Sequence, residues 1–159
     1  MANELTDAEI AALVAEEKPL PDNYQSRVQT RPKRGHRERE LEIDGSDGNT
    51  FRVILRQSSI NVLDFSVILA WIPPQSNTTF RLRRYNGKSH EHTNTIEGNK
   101  FYGFHIHQAT ERYQQSGLRE DSFAETTDRY QDLAGALRCM IADCGFKMPP
   151  NHQPELFET

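Results

Sequence analysis

Leu63-Asp-Phe-Ser-Val-Ile-Leu-Ala-Trp-Ile72, stopped by Pro73 and Pro74, contains the longest apolar run of the chain, Val67 to Ile72. Its apolar residues fall on both parities, with Phe65, Val67, Leu69 and Trp71 on one side and Ile68, Ala70 and Ile72 on the other. Successive side chains of a strand point to opposite faces, so this pattern predicts a central strand covered on both faces. Period-two segments on either side extend it into an antiparallel meander. Upstream, Leu41 and Ile43 alternate with Glu40 and Glu42, a turn-rich stretch from Asp44 to Asn49 reverses the chain, and Phe51, Val53 and Leu55 return. Downstream, 78–85 sets Phe80 and Leu82 against Arg81, Arg83 and Tyr85. The segment 101–108 likewise sets Tyr102, Phe104 and Ile106 against His105 and His107. After Ala109 the period becomes helical, and 131–144 carries Leu133, Leu137, Met140, Ile141 and Cys144 as one stripe with Gly145 in the closing position. The expectation is an α+β fold: a twisted antiparallel sheet of about five strands, a short N-terminal helix, and a C-terminal helix packed on one face.

With 159 residues, 35% hydrophobic and 26% charged, the chain suits one domain with one modest core. The apolar run 67–72 is far shorter than the roughly 20 residues of a membrane-spanning helix, so no membrane role is expected. The start of the chain has neither the basic residues nor the apolar stretch of a secretory signal, which predicts a cytoplasmic protein. Cys139 and Cys144 fit neither a redox Cys-x-x-Cys motif nor a paired zinc framework, and read as reduced.

Charge is placed unevenly. Residues 1–17 hold five acids and no Lys or Arg, which brings the remainder to +1 against a total of −4. There Thr6 and Glu9 form a capping box, and Leu5 and Ile10 a hydrophobic staple, for a helix that Pro19 and Pro21 stop. Between Arg27 and Arg39 six basic residues face one acid, Glu38, and Pro32 and Gly35 lie inside the run. The predicted organisation is an acidic helix and an exposed, mobile basic arm over 1–35, an α+β domain over 36–146, and a disordered Pro-containing tail over 147–159.

The densest polar constellation runs from Arg81 to Tyr113. It holds His90-x-His92 and His105-x-His107 on either side of a loop, and same-face strand neighbours lie roughly 7 Å apart, close enough to share a phosphate or a metal. Arg84 has the parity of Phe80 and Leu82 and would point into the apolar face unless the strand ends or bulges there, which makes it a site candidate. Thr110-Glu-Arg-Tyr113 and Thr127-Asp-Arg-Tyr130 repeat one tetrapeptide. Thr and the acid suit helix starts, while Arg with Tyr suits phosphate or base contacts. Gly87-Lys-Ser has Leu82 where a phosphate loop needs glycine, and no His-Glu-x-x-His zinc motif occurs. His90, His92 and Glu97 have the spacing of the first cupin metal motif, without a second cupin half.

The stretch Arg84-Tyr-Asn-Gly-Lys-Ser-His-x-His-x-Asn-x-Ile-Glu-Gly98, then Phe104-His-Ile-His-x-Ala-Thr-Glu-Arg-Tyr113, then Thr127-Asp-Arg-Tyr130 with Ala136-Leu-Arg-Cys139, resembles a family of uncharacterised prokaryotic proteins of this length. Over about thirty residues, Arg84-Tyr85-Asn86 followed by His90-x-His92 and a closing helix is similar to the TumE family of toxin-antitoxin toxins, which has Asp where Asn86 stands. That likeness implies a toxin of a toxin-antitoxin system, and together with the histidine, arginine and tyrosine cluster it gives the leading expectation, a small RNA-directed protein, a metal-independent ribonuclease toxin with RNA and a cognate antitoxin as partners. In that scheme His90, His92, His105 and His107 exchange protons, Arg84 and Arg112 stabilise the transition state, and Tyr85, Asn86, Lys88, Tyr113, Arg129 and Tyr130 bind substrate. The first alternative is a binding module for protein or nucleic acid. The second is a mononuclear divalent-metal enzyme using His90, His92 and Glu97, with His105 or His107 as a further ligand.

Overall fold

The computed structural model describes residues 4–150. In chain order these form α1 (Asp7–Ala15), β1 (Lys18–Pro19), α2 (Tyr24–Arg27), β2 (Gln29–Lys33), β3 (His36–Asp44), β4 (Thr50–Ser58), β5 (Phe65–Ile72), β6 (Phe80–Asn86), β7 (Glu91–Thr93), β8 (Lys100–Tyr102), β9 (His105–Gln108), α3 (Glu111–Gln115), β10 (Ala124–Thr126), α4 (Leu133–Asp143) and β11 (Phe146–Lys147). The fold is α+β. Its main sheet has seven strands, not five, in the order β10-β9-β6-β5-β4-β3-β2, and every pairing in it is antiparallel.

As its two-parity pattern predicts, β5 lies in the middle of the sheet, with Val67, Ile68, Leu69 and Ala70 all inaccessible. One face carries the core: Leu41, Ile43, Phe51, Val53, Leu55, Phe65, Val67, Leu69, Phe80, Leu82, Tyr85 and Ile106 pack with Ile10, Leu13 and Val14 of α1 and Ala136, Leu137 and Met140 of α4. The capping box at Thr6 and Glu9 is present, so α1 starts where the sequence placed it. That acidic helix is part of the core. Glu16, just beyond it, is buried and accepts hydrogen bonds from the Asp47 and Asn49 backbone and the Asn49 side chain, which holds the β3–β4 turn.

Two strands are added to the five expected in the sheet, β2 at one edge and β10 at the other, and both lie where the sequence shows no apolar alternation. The basic arm is the edge strand β2, turned onto β3 through Gly35 at φ +82°. All five of its residues are exposed, so no hydrophobic period marks it, and Pro32 is tolerated because an edge strand has one unpaired side. The segment expected as one strand over 101–108 breaks at Gly103 and Phe104. Its first part becomes β8, which pairs only with β7, and its second part is β9. The expected tail begins as a strand, since Phe146 and Lys147 pair with Lys18 and Pro19, and 151–159 lies outside the described residues. Both cysteines are free, and among the described residues no helix is long and apolar enough to cross a membrane.

Lys18 ties the helix ends together. Its ammonium is inaccessible and shares its three N–H groups among the carbonyls of Leu13, Val14, Glu16 and Cys144, all within 2.8–3.0 Å, so one cation serves the C-termini of both α1 and α4.

Candidate metal centre

The face of the sheet opposite the core is mixed, with Ile54, Ile68 and Ala70 buried there beside polar side chains, and a bulge decides which arginines stand on it. Between β5 and β6 the register shifts, with Leu69 opposite Arg83 and Ala70 opposite Arg81, so Leu82 is the extra residue. Leu82 therefore stays in the core, and Arg81 and Arg84 both turn to the opposite face. There Arg84 is the cross-strand partner of His107, and Asn86 that of His105. The parity conflict at Arg84 is resolved by this bulge.

His105 and His107 project side by side from β9, and the β7–β8 hairpin folds over them to bring His92 into contact. Ring centroids are 5.4 Å apart for His92 and His105, 4.8 Å for His92 and His107, and 5.0 Å for His105 and His107. One ring nitrogen from each lies within 4.8 Å of the other two, and this is the one such group of metal-ligating side chains among the described residues.

Hydrogen bonds fix which nitrogens keep a lone pair. Nδ1 of His105 lies 2.7 Å from the Gly103 carbonyl, and Nδ1 of His107 lies 2.7 Å from the Asp121 carbonyl. A carbonyl only accepts, so both Nδ1 atoms carry the proton and both Nε2 atoms are free to bind. Nε2 of His92 is 2.9 Å from Oδ1 of Asn94. The orientation of that amide is set by the Ala124 backbone, whose N–H donates to Oδ1 at 2.9 Å and whose carbonyl accepts from Nδ2 at 2.8 Å. His92 must therefore donate through Nε2, and its Nδ1 is the free nitrogen. Each ring thus has a second partner that sets its tautomer, the arrangement typical of metal-bound imidazoles.

Burial holds the two strand histidines neutral. The pKa of His105 falls to about 4, through burial first and then the charges of His92 and Arg84, against the opposing pull of the Gly103 carbonyl. That of His107 falls to about 2, through burial and then Arg84. Neutral imidazole is the form that binds a metal. It also lacks the proton that an acid partner in a metal-free cleavage scheme has to give.

The geometry gathers some of the residues expected at the site and scatters others. His92, His105, His107, Arg84 and Asn86 share the face opposite the core, with Asn86 accepting from Ser66 at 2.9 Å. His90 is exposed and, among the described residues, bonds only to the Ser89 hydroxyl. Lys88 is exposed, with its ammonium 5.7 Å from the centre of the Phe104 ring. Glu97 is engaged by Arg112 and by the Tyr113 hydroxyl, which donates to it at 2.5 Å, and these contacts lower its pKa. Of the metal set expected from sequence, His90, His92 and Glu97, only His92 belongs to the cluster. Tyr85 is inaccessible in the core, donates to Asp143 at 2.7 Å, and has its pKa raised by burial. Arg129 grips the same carboxylate with two bonds of 2.9 Å.

The repeated tetrapeptide turns out to support the histidines. Tyr113 holds Ile96 and Glu97, the turn of the hairpin that carries His92. Tyr130 is buried and donates to the carbonyls of Asn86 and His105 at 2.7 and 3.0 Å, which clamps β6 to β9. Thr110 does cap α3, but Thr127 begins no helix, and α4 is capped by Asp132.

Asn94 and Asp121 support the cluster without being among the site residues expected from sequence. Asp121 is 1% exposed; its carbonyl orients His107, its Oδ2 accepts from Arg84 Nε at 3.0 Å, and its Oδ1 has no hydrogen-bond partner among the described residues. Comparison with protein-family models, with curated proteins and with solved structures gives no match. The centre thus consists of three imidazoles, each held from behind by a hydrogen bond, two of them kept neutral by burial, with one ring nitrogen of each within 4.8 Å of the others.

Proposed function

We propose that the protein binds one divalent transition-metal ion through His92 Nδ1, His105 Nε2 and His107 Nε2, and uses the remaining coordination position for Lewis-acid chemistry on a bound water or substrate oxygen. The observation that carries this reading is the set of three backing hydrogen bonds, which leaves one lone pair per ring. Three imidazole nitrogens with an open fourth position suit zinc and its first-row neighbours, and such an ion makes bound water nucleophilic near neutral pH.

Tetrahedral zinc with bonds of about 2.05 Å needs nitrogens about 3.4 Å apart, so a cluster within 4.8 Å has to contract slightly. The movement falls to His92, because its hairpin is outside the main sheet while His105 and His107 are bonded into it.

Calorimetric titration of chelator-treated protein with zinc tests the proposal. One ion per chain is expected, with binding lost in His107→Ala and kept in His90→Ala. Equal binding by wild type and His107→Ala, or loss in His90→Ala, would overturn it.

A further inference from the structure

Beside the histidines the face opposite the core carries more guanidinium groups than its carboxylates satisfy. Arg84, cross-strand from His107, uses only Nε on Asp121, which leaves its outer nitrogens without a protein acceptor among the described residues. Arg81, brought to the same face by the bulge, is half-buried and makes no side-chain hydrogen bond or ion pair among the described residues. Its neighbours are Asp121 and three more cations, Arg84, Arg119 and Arg56. Arg56 is bound to Glu38 at 2.7 Å, and the nearby Glu120 carboxylate accepts from the Arg81 backbone N–H rather than from its guanidinium. Arg119 is exposed and has no ion-pair partner among the described residues. Like charges drawn together in a partly dry site lack the counter-charge that would make them stable, and an anion supplies it.

We infer that this cluster binds the phosphoryl group of a phosphomonoester, with Arg81 and Arg84 holding two of its oxygens while a third faces the metal. The inference rests on the metal reading above and names the substrate class for it. A carboxylate offers two oxygens in one plane and is satisfied by a single fork. A phosphoryl dianion presents three oxygens on a pyramid, which suits two guanidinium groups and an ion approaching from different sides. Arg119 stands at the rim of the same cluster, where its charge adds attraction over distance.

The test is calorimetric titration of inorganic phosphate and phenyl phosphate, with acetate and diphenyl phosphate at equal ionic strength, into metal-free and zinc-loaded protein. Phosphate and phenyl phosphate are expected to bind both forms, more tightly with zinc, and to bind about tenfold more weakly to Arg81→Gln, which loses a charge-assisted hydrogen bond. Arg119→Gln, altered at an exposed position, should show a smaller loss and guards against a folding defect in the first variant. If zinc binds but phosphate binds neither form, or binds zinc-loaded protein equally well in Arg81→Gln, the inference is overturned and the metal reading stands. If zinc fails to bind while phosphate binding still depends on Arg81, the metal reading falls and the anion site stands. Preference for acetate or diphenyl phosphate would overturn the assignment to a phosphomonoester.

Discussion

Replacing Asn94 with alanine removes the residue that joins the hairpin to the sheet. Its amide is 1% exposed and makes four side-chain contacts: His92 Nε2 at 2.9 Å, the Ala124 N–H at 2.9 Å, the Ala124 carbonyl at 2.8 Å and Asn99 at 3.2 Å. Ala124 is itself 1% exposed, so the variant leaves a buried N–H and a buried carbonyl unpaired. At about 1–3 kcal/mol for each such group, the expected loss is about 2–6 kcal/mol by urea denaturation of the metal-free protein. His92 also loses the acceptor that fixes its tautomer, and loss of such a partner lowers metal affinity about 10- to 100-fold. Competition for zinc against a chromophoric chelator measures that change. Asn94→Asp separates the two effects, because its carboxylate still accepts from His92 and the Ala124 N–H but has no donor for the Ala124 carbonyl. It should bind zinc nearly as wild type does while remaining less stable. Unchanged zinc affinity in Asn94→Ala, with stability lowered as expected, would refute the assigned tautomer of His92.

Further outcomes follow from the same contacts. In the metal-free protein His105 and His107 have folded pKa values of about 4 and 2, below the unfolded value near 6.5, so the unfolded chain takes up protons first as pH falls. Their stability contribution is complete above pH 6.5 and is lost below it, at up to about 1.4 kcal/mol per pH unit for each; His107→Gln should roughly halve the slope between pH 6 and 4.5 in urea titrations. Lys18→Met leaves buried carbonyls without their donor, at about 1–3 kcal/mol for each that water does not reach, so a loss of several kcal/mol is expected in the same assay, whereas a cost under about 1 kcal/mol would contradict the role given to the ammonium. Zinc should slow amide exchange in 91–102 far more than in β4 and β5, because the hairpin is the element that closes; uniform protection across the sheet would contradict this.

Much of the fold is legible in the residues. The two-parity run of β5, the capping box at Thr6 and the stripe of α4 depend on local spacing, and each lies where that spacing puts it. The same applies to His105 and His107, which strand periodicity places on one face, and to Arg84, whose broken parity marks a bulge. What stays illegible depends on partners distant in sequence. β2 is exposed along its whole length and has no apolar period to show, and the three-residue strands β7 and β8 are too short for one. Asn94 matters only because Ala124 lies against it, and Asp121 only because His107 and Arg84 do. Tyr85 and Tyr130 suggest surface chemistry by their type, yet both rings are buried and their hydroxyls serve interior partners. The choice of His92 over His90 follows from which way the hairpin turns, and Glu97 is withdrawn by Arg112 and Tyr113.

The most direct measurement is anomalous diffraction at the zinc edge from crystals grown with the metal. The account predicts one peak per chain, about 2.0–2.1 Å from His92 Nδ1, His105 Nε2 and His107 Nε2, with Asn94 still bonded to His92. A peak held by His90 or Glu97, coordination through His92 Nε2, or no peak at the three histidines would contradict it.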